Sequence, residues 1–179
     1  PNSTNAEQFN TIRTNIEFSN IDKELKSLVL TSATASEGKS TVSANLAVSF
    51  ARQGKKVLLV DADLRRPTIQ STFSMTNPKG LTNFLTDSNI SVNDIFYRTT
   101  VENLYVIPSG PIPPNPSELL GSKKMAHLIE ALAKAFDIVI YDAPPVLSVT
   151  DAQILSTKVD GTVLVVREKK VEKEENKYI

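Results

Sequence analysis

Cysteine and tryptophan are absent from this chain, and histidine occurs once, at His127. Without cysteine there is no disulfide, no thiolate nucleophile and no thiolate metal site, and a reducing cytoplasm is the natural setting. A single histidine cannot build a histidine-rich metal centre, and His127 reads as a surface or boundary residue of a helix. Charge of one sign is lacking too: 20 Lys and Arg stand against 20 Asp and Glu. That balance leaves no electrostatic footprint for nucleic acid, which is not expected as a partner. No apolar run approaches the roughly 20 residues that cross a bilayer, and no secretory leader is visible. Asn2-Ser3-Thr4 matches a glycosylation sequon, which without a leader reads as chance. Any work at a membrane then requires another chain or a removed segment to bring the protein there. Internal repeats and low-complexity blocks are missing as well.

What is present suits one α/β domain. The 179 residues are 40% hydrophobic, enough for a sizeable core. The segment that organises the rest is Leu28-Val29-Leu30-Thr31-Ser32-Ala33-Thr34-Ala35-Ser36-Glu37-Gly38-Lys39-Ser40-Thr41. A short apolar run predicts a buried strand, small and polar residues predict a loop, and Gly38-Lys39-Ser40 opens a helix. This is the context of a P-loop, whose backbone N–H groups and helix N-terminus cradle phosphates. Residues 34–41 are thus the expected nucleotide contacts: Thr34, Ala35, Ser36, Glu37, Gly38, Lys39, Ser40 and Thr41. Lys39 is placed to reach the β- and γ-phosphates, and the Ser40 hydroxyl to hold Mg²⁺. Ala33 stands where the motif usually opens with glycine, which is tolerable if φ is negative there.

Before this loop, Thr4-Asn5-Ala6-Glu7 reads as a capping box for a helix carrying Phe9, Ile12 and Ile16, with Glu7, Asn10 and Arg13 on its other face. After it, Val42, Leu46, Ala47 and Phe50 predict an amphipathic helix ended by Gly54. Val57-Leu58-Leu59-Val60 predicts a strand running into Asp61-Ala62-Asp63-Leu64-Arg65-Arg66-Pro67. Two carboxylates there, one residue apart, can serve a metal and a proton transfer, or Asp61 can simply cap a turn. Arg65 and Arg66 read either as phosphate or subunit contacts or as a solvated basic turn. Short helices are expected around Leu81, Phe84 and Leu85 and around Val92, Ile95 and Phe96. Leu104 to Ile107 predicts a strand. Asn115-Pro116-Ser117-Glu118 starts a helix expected to run through Leu119, Leu120, Met125, Leu128, Ile129 and Leu132. Ile138-Val139-Ile140-Tyr141-Asp142 is an apolar strand ending in an acid, the Walker B pattern. A helix from about Asp151 to Lys158 and a strand from Gly161 to Val166 complete the core. From Arg167 the chain is almost wholly charged.

The alternation predicts a doubly wound, mostly parallel sheet of P-loop NTPase type, with Walker A, A′ and B motifs. One domain is expected over 1–179: an N-terminal helix and linker at 1–26, a nucleotide-binding core at 27–167 and a charged tail at 168–179, truncated or incomplete. The strand ends bring Lys39, Ser40, Asp61, Asp63 and Asp142 to one edge, a set suited to MgATP.

These motifs in this order, with Pro114-Asn115-Pro116-Ser117-Glu118-Leu119-Leu120, resemble the bacterial tyrosine kinases (BY-kinases) of capsule and exopolysaccharide synthesis, in their CapB-like cytoplasmic kinase domain. The likeness covers nearly the whole chain. It implies a protein-tyrosine kinase that uses ATP and Mg²⁺ to autophosphorylate a tyrosine-rich tail in trans. It implies a homo-oligomeric ring, a membrane-spanning activator that recruits the domain to the inner face of the membrane, and a cognate tyrosine phosphatase. Carried over by position, Lys39 binds phosphate, Ser40, Asp63 and Asp142 hold the metal, and Asp61 is the base for the tyrosine hydroxyl. The catalytic set is then Lys39, Asp61 and Asp63. The family's first helix carries Glu, Arg and Arg at three-residue spacing for ring assembly; here the match is Glu7, Asn10 and Arg13, so Glu7 and Arg13 are the expected interface residues. The family's terminal tyrosine cluster is not in this chain, where Tyr178 alone is the candidate phospho-acceptor; Tyr97, Tyr105 and Tyr141 read as serving the fold. A partitioning or positioning ATPase of the same superfamily is the alternative, although its second signature lysine is replaced by Thr34. A non-catalytic, nucleotide-gated assembly module is the third reading.

Overall fold

The computed structural model describes residues 24–35 and 38–166. The expected N-terminal helix, Glu7, Arg13, Ser36, Glu37 and Tyr178 lie outside the described residues. Six strands form one sheet: β1 (Ser27–Ser32), β2 (Val57–Asp61), β3 (Tyr97–Arg98), β4 (Leu104–Ile107), β5 (Ile138–Asp142) and β6 (Gly161–Val165). Their order is β3-β4-β2-β5-β1-β6. All neighbours are parallel except β3 with β4. The helices are α1 (Lys39–Arg52), α2 (Ile69–Thr72), α3 (Leu81–Thr86), α4 (Pro116–Leu120), α5 (Lys123–Ala135) and α6 (Asp151–Ser156).

The three central strands are buried on both faces, which is why they read as unbroken apolar runs. Their alternate residues divide between two cores. Leu28, Leu30, Val57, Leu59, Ile138 and Ile140 meet Leu46, Ala47, Phe50 and Ala51 of α1 on one side. Val29, Leu58, Val60, Val139 and Tyr141 meet Met125, Leu128, Ile129 and Leu132 of α5 and Leu155 of α6 on the other. The sheet is therefore doubly wound, as the sequence pattern predicts. His127 is exposed on α5. Tyr141 is fully buried, Tyr105 packs edge-on against Phe96 and Phe136, and the Tyr97 hydroxyl donates to the Lys79 carbonyl.

Three local expectations change. The helix beginning at Pro116 stops at Leu120, and α5 begins afresh at Lys123. Gly121 and Ser122 divide them, and the Ser122 hydroxyl accepts from the Met125 N–H at 3.2 Å as an N-cap. The segment at Val92 forms only a single 3₁₀ turn, Val92–Asp94, closed by the Asp94 carboxylate accepting from the Ser91 N–H. Phe96 then leads into β3, a two-residue strand that had no sequence signal. Finally, α2 forms after Pro67, where the sequence pattern predicts no element.

Candidate active site

The phosphate loop leaves β1 at Ser32, whose hydroxyl donates to the Thr34 carbonyl at 2.8 Å. The described non-glycine residues with positive φ are Ser74, Asn77 and Asn103, so Ala33 holds a conformation open to an L-residue and glycine is not needed there. Gly38 is different. It caps α1 at φ 102°, and an added Cβ there would meet nothing within 4 Å. Glycine is demanded by the left-handed turn rather than by space.

Lys39 and Ser40 are the first two residues of α1, and Lys39 is buried. The Lys39 ammonium is ion-paired with Asp142 Oδ1 at the end of β5. Asp142 is fully buried, and its Oδ2 has no hydrogen-bond partner. The backbone beyond Asp142 is stitched to the phosphate loop: the amides of Ala143, Val146 and Leu147 donate to the carbonyls of Leu30, Ser32 and Ala33 at 2.9, 2.8 and 3.1 Å. Asp61 and Asp142 are register partners on adjacent strands.

Asp61 is also fully buried. Its Oδ1 accepts from the Asp63 N–H at 3.1 Å, and its Oδ2 from the N–H groups of Thr68 and Ile69 at 2.9 and 3.0 Å. It thus caps the turn that starts α2, the simpler of the two roles its position allowed. Desolvation pushes its carboxyl up to about 7, the Ile69 N–H opposing and the Asp142 charge adding. Asp63 Oδ1 accepts from the N–H groups of Arg65 and Arg66 at 3.2 and 2.9 Å. Burial raises its carboxyl too, against the Arg66 N–H and the Lys39 charge. Arg65 is exposed but not free: its guanidinium is bound to Asp151 within the same chain. In the sequence Asp151 and its hydrogen-bonded neighbour Ser117 read only as residues at helix starts. They lie 86 and 52 positions from Arg65, and no local pattern signals such a contact.

The structure therefore brings together Lys39, Ser40, Asp61, Asp63 and Asp142 at the carboxyl ends of β1, β2 and β5. Among the described residues no three His, Asp or Glu side chains converge as a closed metal cage. Mg²⁺ at phosphate sites needs no such cage; one or two carboxylates, a hydroxyl, phosphate oxygens and water suffice. The unpartnered, buried Asp142 Oδ2 is a donor of that kind, so the residues fit the ion.

A family model described as an AAA domain matches residues 26–173. The tyrosine-protein kinase YwqD of Bacillus subtilis (strain 168) is 53% identical over 175 residues, covering 98% of this chain and 73% of that protein. The chain belongs to the bacterial tyrosine kinase family. Another relative in this family, the tyrosine-protein kinase CpsD of Streptococcus agalactiae, is 48% identical over 160 residues, covering 89% of this chain and 69% of the relative. Among solved structures, the chimerical protein CapA2B2 aligns with a TM-score of 0.87 at 43% identity, covering 96% of this chain and 75% of that one. The fold shared with these bacterial tyrosine kinases is P-loop NTPase-like, a fold that implies nucleotide binding.

Proposed function

We propose that this chain is an ATP-dependent protein-tyrosine autokinase of a capsule or exopolysaccharide system, with Lys39, Asp61 and Asp63 as its working residues. The observation that carries this reading is the pair of adjacent strand ends. Asp142, with one oxygen on Lys39 and the other unpartnered, stands beside Asp61, whose carboxyl is raised to about 7. A carboxylate near 4 is a poor acceptor for a phenol proton of pKa about 10; one near 7 is better matched. Lys39 would exchange its carboxylate partner for phosphate oxygens, and Ser40, Asp63 and Asp142 would hold Mg²⁺. When bound, that ion neutralises charge developing on the transferred phosphoryl group. The Asp61-to-Ile69 turn would then orient the acceptor hydroxyl, since transfer through a loose transition state depends chiefly on positioning.

The finer parts of the reading rest on family membership. They are phosphorylation in trans of a tyrosine-bearing tail, with Tyr178 as the acceptor in this chain, and a homo-oligomeric ring using Glu7 and Arg13. They also include a membrane-spanning activator that holds the domain at the cytoplasmic face, and a cognate phosphatase. Among the described residues no helix is long and apolar enough to cross a membrane. The decisive test of the base is Asp61→Asn. Phosphotyrosine by mass spectrometry should fall at least about a hundredfold, with MgADP affinity retained. Unchanged labelling removes Asp61 from the chemistry and leaves it as a turn cap.

A further inference from the structure

The loop after β2, which carries Asp63, is tied to two distant helices through one side chain. Arg65 Nε donates to Asp151 Oδ2 at 3.0 Å and Nη2 to Asp151 Oδ1 at 3.2 Å, a two-point fork on one carboxylate. Nη2 also donates to Ser117 Oγ at 3.0 Å, and the Ser117 hydroxyl donates to Asp151 Oδ1. Three separate segments meet there: the loop after β2, helix α4 and the first turn of α6. The anchor is firm, because Asp151 is 0% exposed and α6 follows the segment stitched to the phosphate loop. The main chain of the same arginine is held from the other side, its N–H donating to Asp63 Oδ1 at 3.2 Å. A single residue therefore links Asp63 to Asp151.

We propose that Asp151, through Arg65 and with Ser117, is a positioning residue that sets where Asp63 stands relative to Lys39 and Asp142. The inference rests on the kinase reading for its consequence but not for its geometry. The Arg65 side chain is 38% exposed, so solvent competes for the pair and its worth to overall stability is small. Its worth to orientation is larger, because a planar fork fixes a direction that a point charge cannot. Lysine in place of Arg65 keeps the charge and loses the direction.

The test uses the full chain with Arg65→Lys and Asp151→Asn, compared by hydrogen exchange without nucleotide and by kinetics with MgATP. The amides of Asp63, Arg65, Arg66, Thr68 and Ile69 should exchange about tenfold faster in both variants, while β1 and β5 keep their protection. Phosphotyrosine formation should show, in both variants, a kcat lowered about tenfold with KM for ATP little changed, so that the charge lysine keeps does not suffice. Exchange that rises equally in β1 and β5 would mean a purely structural contact and overturn the proposal, as would loop amides that do not change. If the unsubstituted chain, fused to the cytoplasmic segment of the proposed activator, forms no phosphotyrosine, the kinase reading fails while the exchange result still decides whether Asp151 holds the loop.

Discussion

Removing the Lys39 ammonium should destabilise the protein before any nucleotide is added. In the structure Lys39 is the charge partner of Asp142, and their side chains are 7% and 0% exposed. Asp142 Oδ2 already lacks a partner, so Lys39→Met leaves a fully buried carboxylate with neither oxygen on a cation. Methionine keeps the apolar stem, so packing changes little and the cost is electrostatic. Breaking a buried pair from one side costs about 3–5 kcal/mol. For a domain of this size that lowers Tm by roughly 6–20 °C. The assay is thermal unfolding by circular dichroism in EDTA without nucleotide. The double variant Lys39→Met/Asp142→Asn removes the orphaned charge and should recover most of the loss. Lys39→Met should therefore lower stability as well as phosphate binding. A single variant as stable as the parent, or a double variant no better than the single, would refute the reasoning.

Asp61 makes stability depend on pH in an unusual direction. Desolvation raises its carboxyl from 3.8 to about 7, so the folded protein binds this proton more tightly than the unfolded chain. Its contribution is complete below pH about 4 and is lost as pH rises through about 7, a swing of about 4 kcal/mol. Between pH 5 and 7 the parent should lose about 2 kcal/mol relative to Asp61→Asn, read from urea midpoints; parallel curves would contradict this. At the break between α4 and α5, Ser122→Ala should cost about 1 kcal/mol by removing the N-cap bond to Met125. Were 116–135 one continuous helix, alanine there would instead stabilise it.

Much of this molecule is written in local pattern. β1, β2 and β5 are legible because residues such as Val57 to Val60 are apolar at every position, which only a strand covered on both faces requires. The phosphate loop is legible because Gly38-Lys39-Ser40 joins such a strand to an amphipathic helix. Legibility fails where distant residues decide. Tyr97 and Arg98 form a strand only because β4 lies antiparallel beside them. The leucine stripe from Leu119 to Leu132 concealed a break that Gly121 and Ser122 make by capping. The acids at Asp61 and Asp63 are visible in sequence, but not that three of their four oxygens turn back onto amides of their own loop. Nor does anything near Arg65 announce Asp151, a partner on a distant helix.

The central claim is transfer of a phosphoryl group to tyrosine at the edge formed by Lys39, Asp61, Asp63 and Asp142. It is tested most directly by incubating the full chain, fused to the cytoplasmic segment of the proposed membrane-spanning activator, with Mg²⁺ and γ-labelled ATP, then identifying the labelled product. The account predicts phosphotyrosine, abolished by Lys39→Met/Asp142→Asn, the variant in which stability is restored. Label released only as inorganic phosphate, with no phosphotyrosine on any chain, would contradict it and identify a hydrolysing ATPase of the same fold.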